Sequence, residues 1–291
     1  MRSAFPRFDA VAWLRLMRSA DGSPLTPRAT AAEAGAAEVA AKAAGRLIRD
    51  AIGGALEVRH KGSTEFVTEV DRAAEVTIRE ILDAACPGYG FLGEEATGDR
   101  PGVARWIVDP LDGTTNFVAG YRTVAVSIAL ERSNTLVLGV VHDPLSGETF
   151  TAQRGRGALL DGRSINVSGT SQLRDAFVLT GLAYDVRETA DDGLRELNAL
   201  AKVVRALRID GSAALDLCSV AAGRADAYWE SGLKPWDIAA GALILEEAGG
   251  RASDDSGGSG HVYSGRLIAS NGALHAELRR LIGADRAAPD R

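Results

Sequence analysis

The chain has 291 residues, 46% hydrophobic and 25% charged, enough for about two domains and too evenly mixed for wholesale disorder or a fibrous repeat. Its 33 Lys and Arg against 39 Asp and Glu leave a net charge of -6, so no overall positive field attracts nucleic acid or anionic lipid. Cys86 and Cys218 alone support neither a disulfide framework nor a zinc ribbon, and no apolar run is long enough for a membrane span.

Residues 1–25 end in the turn-rich DGSPLTP and read as an appendage, a short amphipathic helix through Val11, Leu14 and Met17. Arg2 and Arg7 suit the start of a signal peptide, but Asp9 and Arg15 break the apolar stretch and no small-residue cleavage site follows. The expected compartment is the cytoplasm. After Pro27 an Ala-rich helix is predicted to about Ile52, with Thr30 and Glu33 as a capping box and Val39, Leu47 and Ile48 on its apolar stripe. Lys61 to Thr68 reads as a loop and short strand. Thr68 then precedes a helix whose Val70, Ala74, Ile78, Ile81 and Leu82 share a face, ended by Pro87 and Gly88.

The segments RWIVD, TVAVSIAL, TLVLGVVHD and ETFTAQ are closely spaced and rich in β-branched residues, which predicts antiparallel strands. Further on, strands FVLTGLAY, RALRI, ADAYWE and RLIASN alternate with helices around 194–204, 212–223, 237–248 and 273–283. Such interleaving predicts layered sheets between helices. Residues 26–175 and 176–285 are the expected halves, with a polar tail over 286–291.

WIVDPLDGTTNF, residues 106–117, carries the clearest chemistry. An apolar strand is predicted to end at Asp109, with Pro110 stopping its ladder, and Asp112 follows just before Gly113 and Thr114 at the start of a helix. Asp109, Asp112 and the Leu111 carbonyl offer oxygen ligands to a hard cation, and the Gly113 and Thr114 amides offer donors to a phosphate. Taken alone, DP and DG are equally turn and capping dipeptides. Glu94 and Glu95 form a second acidic pair beyond FLG, which also suits solvated surface, and Asp237 after Lys234-Pro235-Trp236 also suits a helix cap. Thr68 and Asp71 likewise form a capping arrangement. His60, His142, His261 and His275 show no metal-ligand spacing.

In order along the chain, FVTEVDRAAE, GEE, WIVDPLDGTTNF, GSAALDLCSVAAGRADAYWE and KPWDIAAGALILEEAGG resemble the inositol monophosphatase family of Mg2+-dependent, lithium-sensitive phosphatases, over about residues 30 to 285. The resemblance implies an α/β (α+β) fold, a layered αβαβα sandwich, commonly a homodimer. It implies one Mg2+ on Glu94, Asp109 and the Leu111 carbonyl, a second on Asp109, Asp112 and Asp237, and a third, weaker one near Glu94. Asp71, Glu94 and Thr114 would be the catalytic groups, Gly113 and Thr114 the phosphate contacts, and Gly211, Ser212, Ala213, Glu230 and Asp237 the substrate contacts. Arg208 is a further candidate anion contact. Lys61 matches a family Lys, but its loop is one residue shorter and carries Glu65 where Asp is common.

The activity so implied is hydrolysis of a cyclitol or sugar phosphate by metal-activated water, with inositol 1-phosphate the leading substrate. Histidinol phosphate, fructose 1,6-bisphosphate and a 3'-nucleotide phosphate are alternatives within the family. The last two call for basic groups, and near Gly211 the sequence offers only Arg205 and Arg208. A reading from another class is a scaffold for a protein or RNA partner with incidental activity. Neither a membrane nor a nucleic-acid substrate is expected.

Overall fold

The computed structural model describes residues 28–54, 58–61, 65–95, 100–182 and 193–286; the predicted appendage and the end of the tail lie outside them. Helix α1 (Ala31–Ala51) starts at the expected capping box, in which the Thr30 hydroxyl accepts from Glu33 N and Glu33 accepts from Thr30 N. Its buried face is Ala37, Ala40, Ala41, Ala44, Gly45 and Ile48. Val39 and Leu47, expected on that face, are 57% and 38% exposed. Small side chains let α1 approach α2 (Glu69–Ala85) closely, and the larger Val39 and Leu47 lie outside the seam. β1 (Val58–Lys61) pairs antiparallel with β2 (Glu65–Thr68), where a loop and one short strand were expected from Lys61 to Thr68.

A seven-stranded sheet follows, in the spatial order β3 (Gly90–Gly93), β4 (Ala104–Asp112), β5 (Ala125–Arg132), β6 (Thr135–His142), β7 (Thr149–Gln153), β8 (Ala158–Leu160) and β9 (Arg163–Ile165). Only β3 and β4 pair in parallel; the rest of the sheet is antiparallel, as the short spacings require. Pro110 does not end β4. Pairing with β5 lapses between Asp109 and Asp112 and resumes at Asp112–Ala125, so the proline sits in a bulge, where its missing N–H costs no ladder bond. Short helix α3 (Thr114–Ala119) comes next.

The second sheet has the order β11 (Ala206–Arg208), β10 (Phe177–Thr180), β12 (Ala227–Ser231), β14 (Arg266–Ser270) and β13 (Arg251–Ser253). Helices α4 (Leu194–Ala201), α5 (Ala213–Ala221), α6 (Pro235–Glu247), α7 (His261–Ser264) and α8 (His275–Arg286) complete the described chain.

Alternation along the strands separates three cores. Trp106 and Val108 of β4 face α1 and α2, whereas Ile107 faces the opposite way, toward α5 and α6. Tyr228 and Leu267 close that middle layer from the second sheet, whose other face packs Val178 and Trp229 against Leu200, Leu278 and Ile282 of α4 and α8. The layers therefore run helix, sheet, helix, sheet, helix. Central α6 is apolar nearly all round, Ile238 through Leu245 being buried, because it has a sheet on either side. Among the described residues no helix is long and apolar enough to cross a membrane.

Candidate active site

The bulge in β4 turns consecutive carboxylates toward one end of the first sheet. Asp109 Oδ1 accepts from Leu111 N at 2.9 Å, an Asx-type turn that fixes the loop, while Asp112 Oδ2 accepts from Ser212 Oγ at 2.6 Å and Ala214 N at 2.9 Å. Gly113 then adopts φ 92°, and a Cβ there would lie 2.8 Å from Thr123 O, so a tight left-handed turn sets the direction of α3.

Parallel pairing of β3 with β4 aligns Gly93 with Val108 and thus brings Glu94 alongside Asp109; Glu94 N donates to Val108 O at 3.2 Å. Asp237 arrives from a different layer, at the first turn of α6 rather than as its opening residue. Pro235 occupies the first turn, and Asp237 Oδ2 accepts from Lys234 N at 2.7 Å. Ser127, paired across the sheet with Asp109, donates to Trp236 O at 3.0 Å and ties the start of α6 to β4.

Asp71 is both a cap and a neighbour of the loop. Its Oδ2 accepts from Thr68 N at 2.8 Å and Thr68 Oγ1 at 2.5 Å, while its Oδ1 lies 3.0 Å from Thr114 Oγ1. The Thr114 hydroxyl also lies 3.1 Å from the Leu111 carbonyl, so its single proton can go either way.

Burial raises Asp109 and Asp237 well above the usual carboxylate range, and the charges of the other acids at the site add to it. Asp112 is raised to about 6 by burial, against the pull of its Ser212 and backbone donors. Asp71 is raised by burial despite the Thr68 and Thr114 hydrogen bonds. No Lys or Arg pairs with Asp109, Asp112 or Asp237 among the described residues. Three buried, mutually repelling hard-oxygen groups without a counter-charge suit divalent cations such as Mg2+. Among the described residues no three His, Cys, Asp or Glu close on one point as a ready metal centre, and one oxygen of each aspartate accepts from a protein donor.

Gly211, Ser212 and Ala213 sit beside this group through the Ser212–Asp112 contact. Glu230 stands half-buried on β12, raised to about 7 by burial, with Tyr228 O–H donating to its Oε2. The two basic candidates face elsewhere: Arg205 reaches Asp175 at 2.7 Å, and Arg208 lies over the Phe177 ring with Nη1 on the Leu207 carbonyl. Lys61 and Glu65 are register partners in the β1–β2 pair.

Three contributors had not been read from the sequence. Asn116 Nδ2 donates to Thr123 O and Asp210 O, both at 2.8 Å, stitching the Asp112 loop to the Gly211 loop. Glu75, one helical turn after Asp71, accepts from Glu95 N at 2.9 Å and so holds the acidic loop. Its sequence signal is the i, i+4 spacing of two acids on a face otherwise apolar. Tyr228 is the third, two residues from Glu230 and hence on the same face of β12.

A layered sandwich whose sheet ends and helix starts converge buried carboxylates and small-residue loops is the architecture of a phosphoric monoester hydrolase. The Inositol monophosphatase family model matches residues 31–286, and the chain belongs to that family, whose phosphatases are generally metal-dependent. It is 44% identical over 229 residues to the inositol-1-monophosphatase of Mesorhizobium japonicum, covering 78% of this chain and 86% of that one. It is 44% identical over 240 residues to the Nus factor SuhB of Pseudomonas aeruginosa, covering 80% and 89%. In structure it matches the extragenic suppressor protein suhB of Bartonella henselae with a TM-score of 0.81 at 40% identity, covering 85% of this chain and 97% of that one.

Proposed function

We propose that the chain is a Mg2+-dependent phosphomonoesterase acting on a cyclitol or sugar phosphate, with inositol 1-phosphate its leading substrate. The observation that carries this is the group of aspartates, buried Asp109 and Asp112 with half-buried Asp237, all raised first by burial and lacking a basic partner among the described residues. Glu94, Asp109 and the Leu111 carbonyl would hold one ion, and Asp109, Asp112 and Asp237 a second, with a third near Glu94. When bound, such ions neutralise the phosphate dianion, acidify a water and stabilise the leaving oxygen.

The chain's own residues do the rest. The Gly113 and Thr114 amides receive phosphate oxygens at the start of α3. Thr114 accepts a proton from the attacking water and passes its own to Asp71, 3.0 Å away; the raised pKa of Asp71 brings it nearer the working pH. Glu94 assists. Ser212 and the amides around Ala213 hold Asp112, and Glu230 accepts hydrogen bonds from the leaving group's hydroxyls.

Among the described residues Arg205 and Arg208 are both engaged elsewhere, with Asp175 and over Phe177, which supports a neutral, hydroxyl-rich leaving group over a bisphosphate or nucleotide. Homodimerisation and a cytoplasmic setting belong to the same reading. Phosphate release from inositol, histidinol, sugar and 3'-nucleotide phosphates, with and without Mg2+, tests it; Mg2+-dependent preference for the inositol ester is expected, and preference for a 3'-nucleotide would overturn the substrate assignment. The relative named as a Nus factor supports the scaffold alternative. Asp109→Asn separates the two, because it spares partner capture and removes hydrolysis.

A further inference from the structure

We propose that the Tyr228 hydroxyl is a positioning group for substrate selection, holding the Glu230 carboxylate in one orientation so that its remaining oxygen meets the hydroxyls of a polyol leaving group. The inference rests on the phosphatase reading and names a determinant within it.

Tyr228 is fully buried in the middle layer, and its hydroxyl donates to Glu230 Oε2. Residues 228 and 230 share a face of β12, so ring and carboxylate stack along one strand and the hydroxyl has little other reach. Glu230 Oε1 has no protein donor among the described residues, and the side chain is half-buried, open enough to meet a ligand. A buried tyrosine normally finds a partner for its hydroxyl, and here that partner is a substrate-side carboxylate rather than the backbone.

A second residue makes room for the same arrangement. Gly181, just past the end of β10, has no side chain where a Cβ would collide with all three carboxylate atoms of Glu230. Its φ is not in the left-handed region, so the glycine answers to the Glu230 carboxylate and not to a backbone requirement. Pressed by Gly181 on one side and bonded to Tyr228 on another, the carboxylate has one resting place. The charge of Asp112 bears on it from the metal side, so without the tyrosine it would be pushed from that place. Asp216 of α5, 2% exposed, lies close enough to feel the charge of Glu230 and offers it no donor in the described structure.

A selection role differs from a structural one in what it changes. Tyr228→Phe keeps the ring and should raise KM for inositol 1-phosphate about 5- to 10-fold, the size of one ordinary hydrogen bond, with kcat nearly constant. Hydrolysis of p-nitrophenyl phosphate, whose leaving group has no such hydroxyls, should stay within about twofold of wild type. Gly181→Ala should give the same split by displacing Glu230 while leaving the tyrosine intact. In a Glu230→Ala background Tyr228→Phe should add nothing, since the hydroxyl then has no carboxylate to position.

Equal KM effects on both esters, or additive effects in the double variant, would overturn the proposal and leave the phosphatase reading standing. If Tyr228→Phe melts early, Gly181→Ala decides by the same comparison. A wild-type protein that hydrolyses neither ester would overturn the phosphatase reading, and this inference with it.

Discussion

Thr114 illustrates how a single hydroxyl links the layers of the site. It lies within hydrogen-bonding distance of both Asp71 of α2 and the Leu111 carbonyl of the β4 bulge, so one rotation moves its proton between a carboxylate and a backbone oxygen. If it orients and deprotonates the attacking water, Thr114→Ala should lower kcat about 10²-fold with a small change in KM, whereas Thr114→Ser should retain most of the rate. Steady-state kinetics on both variants check this, and a Ser variant as poor as Ala would remove the hydroxyl from the reaction. Asp71→Asn should lose rate too, and also cooperativity at the start of α2, because the same carboxylate receives Thr68 N and Thr68 Oγ1. Both capping boxes were legible in sequence, since an S/T-x-x-E/D pattern before an apolar run carries its own mechanism. The meeting of Asp71 with Thr114, 43 residues apart, was expected only through the family resemblance, because no local pattern joins them.

At the scale of elements, burial is decided by what lies on either side. Helix α6 carries apolar residues around its circumference because sheets cover both flanks, and Leu243 at its centre is fully buried. Leu243→Ala should cost about 2–5 kcal/mol, while Val39→Ala, on the exposed side of α1, should stay within about 0.5 kcal/mol. Urea unfolding of the two variants checks the contrast, and similar costs would contradict the assigned faces. The sequence reading put Val39 inward because large apolar residues normally mark the core face. In an Ala-rich helix that rule reverses, since close packing selects the smallest side chains for the seam. Strands β8, β9 and β13 escaped the reading because each is three residues set beside glycine- or serine-rich turn sequence that breaks up any alternation. The extension of β4 beyond Pro110 escaped it because a bulge is a property of the paired strand, not of the proline's own neighbours.

For the whole molecule, the aspartates set a coupling between protonation, metal and stability. Asp112 and Glu230 are raised to about 6 and about 7, and Asp109 and Asp237 well above the usual carboxylate range, all by burial first. Asp71 and Asp216 are raised as well, and carboxylates in the unfolded chain titrate near about 4, so between about pH 4 and 7 these six groups bind more protons in the folded chain than in the unfolded one. They outnumber His142, His261 and His275, which burial lowers and which act in the opposite sense, so unfolding free energy falls as pH rises through that window. In EDTA the melting temperature should be higher at pH 5 than at pH 8, at about 2–4 °C for each kcal/mol. Mg2+ should restore stability more at pH 8 than at pH 5, because cations replace the protons. A melting temperature that is flat with pH in EDTA, or equal Mg2+ effects at both values, would contradict this coupling.

The order of the layers was foreseen from alternating strands and helices together with the family resemblance, which also implied that Asp237 meets Asp109; the Ser127–Trp236 tie that brings α6 to β4 from a separate layer has no signal in the sequence. The most direct test of the account is phosphate release from inositol 1-phosphate as Mg2+ is titrated, comparing wild type with Asp109→Asn at equal folded fraction. Saturable Mg2+ dependence in wild type and loss to background in the variant are predicted. Release without added divalent metal after EDTA treatment, or an Asp109→Asn protein that keeps its rate, would contradict it.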